Sequence, residues 1–193
     1  MNLRFIAAAL LVAAPLALSP VQAQTKLDSN DLVSSLQGLE AAPAGISAAL
    51  LRKLAQDGLR DPARANPINR EPLSAQLGKL AQFTIAINFD FNSARIRPES
   101  YRAVGLIADS LYHPYLLGYR FLVVGHTDAV GSRETNLKLS QQRADAIRDA
   151  LINPFGISPA RIEAVGLGEE QLLDRANPKA AENRRVQLIN IGK

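Results

Sequence analysis

The chain has 193 residues, 47% of them apolar and 21% charged, with a formal net charge of +4. That length suits one ordinary globular domain with appendages rather than two large domains. With no cysteine, disulfides, thiolate metal sites and a lipid-modified N-terminal cysteine are excluded, and the even spread of charge with only 5% aromatic residues leaves no nucleic-acid footprint.

Residues 1–23 read as a secretory signal. Arg4 supplies the positive start, residues 5–18 an apolar run interrupted by Pro15, and Ala23 a small residue ahead of Gln24. The run is short for a membrane span, so a cleaved signal and a soluble exported chain starting at Gln24 are expected. Cleavage removes one Arg and no acid, which lowers the formal charge to +3 and favours anionic partners in general.

Residues 24–81 read as a preface and linker. Helical patterning is plausible over 31–39 and over 46–59, where Ile46, Leu50, Leu51 and Leu54 share a side. Pro62, Pro67 and Pro72 then break the period, since each disfavours a helical predecessor. Leu73, Leu77 and Leu80 suggest one more short helix.

The domain proper is expected over 82–193. Phe83, Ile85, Ile87, Phe89 and Phe91 alternate with smaller or polar residues, a strand-like period of two. Asn92 and Ser93 end that strand, and Pro98 opens a helix whose apolar face is Val104, Leu106, Ile107 and Leu111. Residues 119–125 make a second strand, apolar on both faces as an inner strand should be. A helix ending near Leu151, a strand over 161–165, a turn at Gly166 to Gly168 and a last strand over 184–191 complete an alternation that implies an α/β sandwich with right-handed crossovers.

The helix after the second strand carries the functional signal. At about 100° per residue, Asn136, Leu139, Ser140, Arg143, Ile147, Ala150 and Leu151 share one stripe, with Lys138, Gln141, Gln142, Asp145, Arg148 and Asp149 opposite. The stripe is apolar in its C-terminal half and polar in its N-terminal half, and buried polar groups cost free energy unless something satisfies them. Arg143 could snorkel or pair with Asp128 for structure alone. The free backbone donors of the first helical turn, beside a loop carrying Asp128, favour a binding site instead.

Taken together, Phe89 to Ala94, Gly125-His126-Thr127-Asp128, Asn136, Leu139-Ser140, Arg143-Ala144, Arg161-Ile162, Gly166 to Glu169 and Asn183-Arg184-Arg185-Val186 resemble the OmpA-like C-terminal domain, a module shared with the peptidoglycan-associated lipoprotein and flagellar stator proteins. The resemblance keeps order and spacing. It implies a βαβαβ(α)β fold with a mixed four-stranded sheet, and noncovalent binding of peptidoglycan through the diaminopimelate residue of its stem peptide. The family's carboxylate and arginine contacts fall on Asp128 and Arg143; Thr127, Asn136, Leu139 and Asp90 map to the pocket wall and Arg184 to the strand beside it. No lipobox cysteine is present, and no transmembrane β-barrel fits ahead of the domain.

The chemistry agrees. A diaminopimelate end carries an ammonium and a carboxylate on one carbon, which Asp128 and a forked Arg143 could take respectively. The rival is a periplasmic hydrolase built on His126 and Asp128 with Ser93, Ser132 or Ser140, but no HExxH or GxSxG spacing accompanies it, and His126 reads as a strand-end residue that holds the turn by hydrogen bonds. No metal or cofactor is expected. A scaffold reading, in which the N-terminal helices grip an outer-membrane protein partner, is compatible with wall binding; the oligomeric state is left open.

Overall fold

A computed structural model describes residues 28–37, 46–60 and 73–193. The expected signal and the proline-rich stretch at 62–72 lie outside them. Three helices come first, α1 (Ser29–Leu36), α2 (Ala48–Arg60) and α3 (Leu73–Lys79). Strand β1 (Gln82–Ile85), a 3-10 turn at Pro98–Ser100, helix α4 (Tyr101–Leu111), strand β2 (Phe121–His126), helix α5 (Arg133–Ile152), strand β3 (Ile162–Gly168) and strand β4 (Val186–Asn190) follow. Local chemistry sets the starts: Asp28 accepts from the backbone N–H of Asn30 ahead of α1, and Ser132 accepts from that of Thr135 ahead of α5.

The sheet order is β1-β4-β2-β3. β2 and β3 run parallel, joined by α5, while β4 lies antiparallel to both β1 and β2. The α/β architecture with a mixed four-stranded sheet is therefore as expected. Both faces of the sheet are covered. Phe121, Val123, Ile162, Ala164, Val186 and Leu188 turn one way, under α1, α4 and α5. Leu122, Val124, Val165, Leu167 and Ile189 turn the other way, onto Ile46, Leu51 and Ala55 of the α2 segment and Leu77 and Leu80. The N-terminal helices thus contribute core: Leu32, Leu36 and Leu51 are fully buried, each burial being worth about 1.5–3 kcal/mol.

Two expectations are corrected. The first strand does not reach Phe91. Its partner β4 begins at Val186, opposite Ile85, so the ladder ends there. Beyond it only Phe89 bridges Ile96, and the chain reverses through a turn in which Asp90 N–H donates to the Arg95 carbonyl and Asn92 takes φ 47°. Nor is Gly166 to Gly168 a turn: Gly166 pairs with Gly125 and Gly168 with His126 across a register shift, which ends β3. Gly125 and Gly166 serve close packing instead, since a Cβ on either would overlap the α5 backbone at Ser140 and Gln141.

The outer edge of β3 is closed by side chains. Arg148 Nε donates to the Ile162 carbonyl (3.2 Å) and Arg52 Nη2 to that of Ala164 (2.9 Å). Gly166 N–H donates to Gln141 Oε1 (2.9 Å) and Gly168 N–H to Ser140 Oγ (2.7 Å). An edge so satisfied offers no template for another strand.

Candidate functional site

The strand directions place the ends of β1, β2 and β3, the start of β4 and the first turn of α5 at one pole of the sheet. Asp128 sits there in the loop after β2 and is almost fully buried. Its Oδ1 accepts from the backbone N–H of Val130 (3.1 Å) and its Oδ2 from Arg184 Nη1 (2.6 Å). Asn136, one turn into α5, donates through Nδ2 to the Asp128 carbonyl (3.1 Å) and to Glu169 Oε2 (2.6 Å), tying the loop, the helix and the end of β3 together. Arg133 forks onto Glu170 with two 2.7 Å bonds and pins the same helix turn to the chain after β3.

Arg143 reaches the pole from two turns further along α5. Its guanidinium carbon lies 4.9 Å from the centre of the Phe89 ring, and Nε donates to the Ser93 carbonyl (3.0 Å). Among the described residues its two terminal nitrogens make no hydrogen bond, and it forms no direct ion pair with Asp128. Burial is the main force lowering its pKa, with Arg184 acting in the same direction and Asp128 opposing both. Asp128 is instead bridged by Arg184, whose side chain is 50% exposed.

The floor between these groups is cationic. Ile87, Phe89, His126, Arg143, Arg184 and Arg185 line a cleft of 20 Å³, room for about one water. Arg185 is buried and bonds the Gln171 carbonyl through Nη2 (3.0 Å), and burial pushes its pKa down to about 10. Among the described residues neither ring nitrogen of the buried His126 has a hydrogen-bond partner, so this strand-end residue holds the turn through its backbone and not its ring. The loop is held by backbone bonds in its place, from His126 N–H to the Arg185 carbonyl and from Thr127 N–H to that of Gly168. Burial, and secondarily Arg185, drives the His126 pKa well below the ordinary histidine value, against the side chain of Gln187.

Of the residues marked in the sequence, Thr127, Asp128, Asn136, Arg143 and Arg184 gather at this pole. Thr127 is buried, its hydroxyl without a hydrogen-bond partner among the described residues. Leu139 lies partly buried on α5. Asp90 faces Arg95 at 3.8 Å across its own turn, with no bond to Arg143. Phe89 and Ser93, strand and turn residues by their sequence pattern, seat Arg143, and Glu169 of the glycine-rich motif accepts from Asn136. Asn183 is buried and organises the loop before β4, donating to the carbonyls of Asp174, Asn177 and Pro178 and accepting from Asp174 N–H. None of the candidate serines bonds His126: Ser132 caps α5, Ser140 Oγ bonds Leu137 and Gly168, and Ser93 Oγ accepts from Arg95 N–H. Among the described residues no cluster of acids and histidines could hold a metal ion, and no helix is long and apolar enough to cross a membrane.

Comparison with known proteins matches this region to one family. The OmpA family model covers residues 88–185, from just after β1 to the basic pair before β4. Over 114 residues the chain is 35% identical to outer membrane porin F of Pseudomonas aeruginosa, covering 58% of this chain and 32% of that protein. Over 102 residues it is 37% identical to a peptidoglycan-associated lipoprotein of Pseudomonas putida, covering 52% and 59%. The chain thus spans only a third to three fifths of the length of these relatives. A MotB-like protein from Desulfovibrio vulgaris shares the fold, with a TM-score of 0.50 at 19% identity over 75% of this chain and 99% of that one. Matched by the family model over just over half of its residues, the chain belongs to the OmpA family.

Proposed function

We propose that this domain binds peptidoglycan noncovalently in the periplasm, seating the amino-acid head group of diaminopimelate between Asp128 and Arg143 and so holding the protein to the wall. The observation that carries this is the pair of unspent nitrogens on Arg143, fixed by Phe89 and Ser93 beside a carboxylate that Arg184 already holds. The ligand carboxylate takes the Arg143 fork. Its ammonium takes Asp128 Oδ2, where the Arg184 guanidinium now stands, and the half-exposed Arg184 side chain swings aside. Two or three charge-assisted bonds of about 1.5–3 kcal/mol each, less the ordering entropy, suit micromolar affinity per site. The wall repeats the ligand, so avidity would supply retention.

The relatives support the reading through their names, one of them a peptidoglycan-associated lipoprotein. Export by the signal at 1–23, wall anchoring without catalysis, and an outer-membrane protein partner belong to the same proposal. Purified sacculi test it. Wild-type protein should sediment with them and be released by free diaminopimelate, while Asp128→Ala and Arg143→Ala should each lose binding by about 30-fold or more, the 2–5 kcal/mol typical of a desolvated charge contact. Retention of either variant at wild-type level would remove the pocket.

A further inference from the structure

We infer that Phe91 is a stacking platform for a sugar ring of the glycan strand, so that the site reads sugar and peptide together; the inference rests on the peptidoglycan reading above. Phe91 is the most exposed large apolar residue of the described chain, its side chain standing wholly in solvent. The turn that carries it is built rather than loose. Asp90 N–H donates to the Arg95 carbonyl (3.0 Å), Ser93 N–H to the Asp90 carbonyl (3.1 Å) and Arg95 N–H to Ser93 Oγ (3.0 Å). Asn92 is the only non-glycine residue with positive φ among those described, a conformation that costs free energy and fixes where its neighbour stands.

This turn is part of the site wall. The Ser93 carbonyl accepts from Arg143 Nε, so Phe91, two residues away, lies within about 7 Å of the backbone that seats the ligand-binding guanidinium. Val130 and Leu173, on two other loops of the same pole, are also exposed. Diaminopimelate is the third residue of a peptide attached to N-acetylmuramic acid through a lactyl group; that group, two residues (one linked through its side chain) and the diaminopimelate side chain together span on the order of 15–20 Å when extended, enough for the peptide to fold back and lay a sugar over the turn while the head group sits in the pocket. A pyranose presents a face of C–H bonds that an exposed ring can cover, while its hydroxyls stay in water.

The test uses two soluble ligands, the disaccharide tripeptide and the free tripeptide that ends in diaminopimelate, measured by calorimetry. Wild-type protein should bind the disaccharide form about three- to tenfold more tightly, as aromatic contacts of this kind suggest. Phe91→Ala should keep wild-type affinity for the free tripeptide and lose that gain, and Phe91→Trp should restore it. Equal binding of both ligands by wild type, or a gain that survives in Phe91→Ala, would overturn the platform and leave the pocket standing. A wild type that binds neither ligand would take the pocket reading down with it. Thermal melts of both variants should match wild type, since the side chain touches no core.

Discussion

Arg143 and Arg161 occupy opposite poles of the sheet and look alike by most measures. Each lies over a phenylalanine ring, Phe89 at 4.9 Å and Phe121 at 5.7 Å, and burial lowers the pKa of each. Their donors separate them. Arg161 gives Nε to the Tyr119 carbonyl and Nη2 to those of Leu111 and Leu116, closing the C-terminal end of α4 and the loop into β2. Among the described residues Arg143 gives one bond, to Ser93, and keeps the rest of its fork. Burial and ring stacking therefore do not set a binding arginine apart from a structural one, because Arg161 has both. Under the proposed reading the distinguishing feature would be unspent donors beside a held carboxylate.

Exchanging the two roles is the sharpest way to break the comparison. Arg161→Ala takes a donor from three carbonyls, of which that of Leu116 keeps the Tyr119 N–H, and should lower unfolding free energy by about 2–4 kcal/mol in urea titrations, while sacculus binding measured below the new melting point stays at wild type. Arg143→Ala should do the reverse, changing stability by about 1 kcal/mol or less and abolishing binding. Arg143→Lys keeps the charge and loses the fork, so it should fail to bind as well. If Arg161→Ala binds poorly while fully folded, the site extends to the far pole and the contrast drawn from donors is wrong.

A smaller effect comes from His126, which lies beside Arg185 on the site floor. Its pKa is depressed in the fold, so the unfolded chain binds the proton first. The stability that depends on neutral His126 is complete above the unfolded value of about 6.5 and is lost as pH falls toward the folded value, at up to about 1.4 kcal/mol per pH unit. Melting temperatures from pH 7.5 to 5 should show this decline in wild type and a flatter one in His126→Gln. Parallel profiles would mean that other groups carry the acid sensitivity.

What could be read from the sequence was whatever repeats locally. The stripe of α5 placed Asn136, Ser140 and Arg143 on the buried side, and the two-sided apolar run of β2 announced an inner strand. Contacts made across the fold could not be read so. Asp128 is bound by Arg184, from a chain segment 56 positions on, rather than by Arg143, and helical periodicity cannot choose between two guanidiniums that converge from different elements. Gln141 and Arg148 lie on the polar side of the wheel and looked solvated, yet the edge of β3 runs beneath them. The segment before residue 82 read as a preface, because its leucines declare a helix face and not the sheet that covers it. In the first strand the alternation continues through Phe91 after the ladder has run out of partner, so periodicity alone reads as strand a residue that stands in solvent.

Arg148 gives the smallest expected effect and the strictest control. It shares α5 with Arg143 and carries the same charge, but its Nε caps the Ile162 carbonyl on the edge of β3 and its Nη1 pairs with the exposed Asp149. Surface pairs of that kind contribute little, and an edge carbonyl freed near the surface can turn to water, so Arg148→Ala should cost about 1 kcal/mol or less. Its binding to sacculi should stay within about twofold of wild type at physiological salt, where charges more than about 8 Å from the ligand are screened. A diffuse attraction between a basic domain and an anionic wall would behave differently: both substitutions remove one positive charge, and both would weaken binding alike. Equal losses in Arg148→Ala and Arg143→Ala, each reversed by lowering the salt, would therefore replace the pocket with a charged surface.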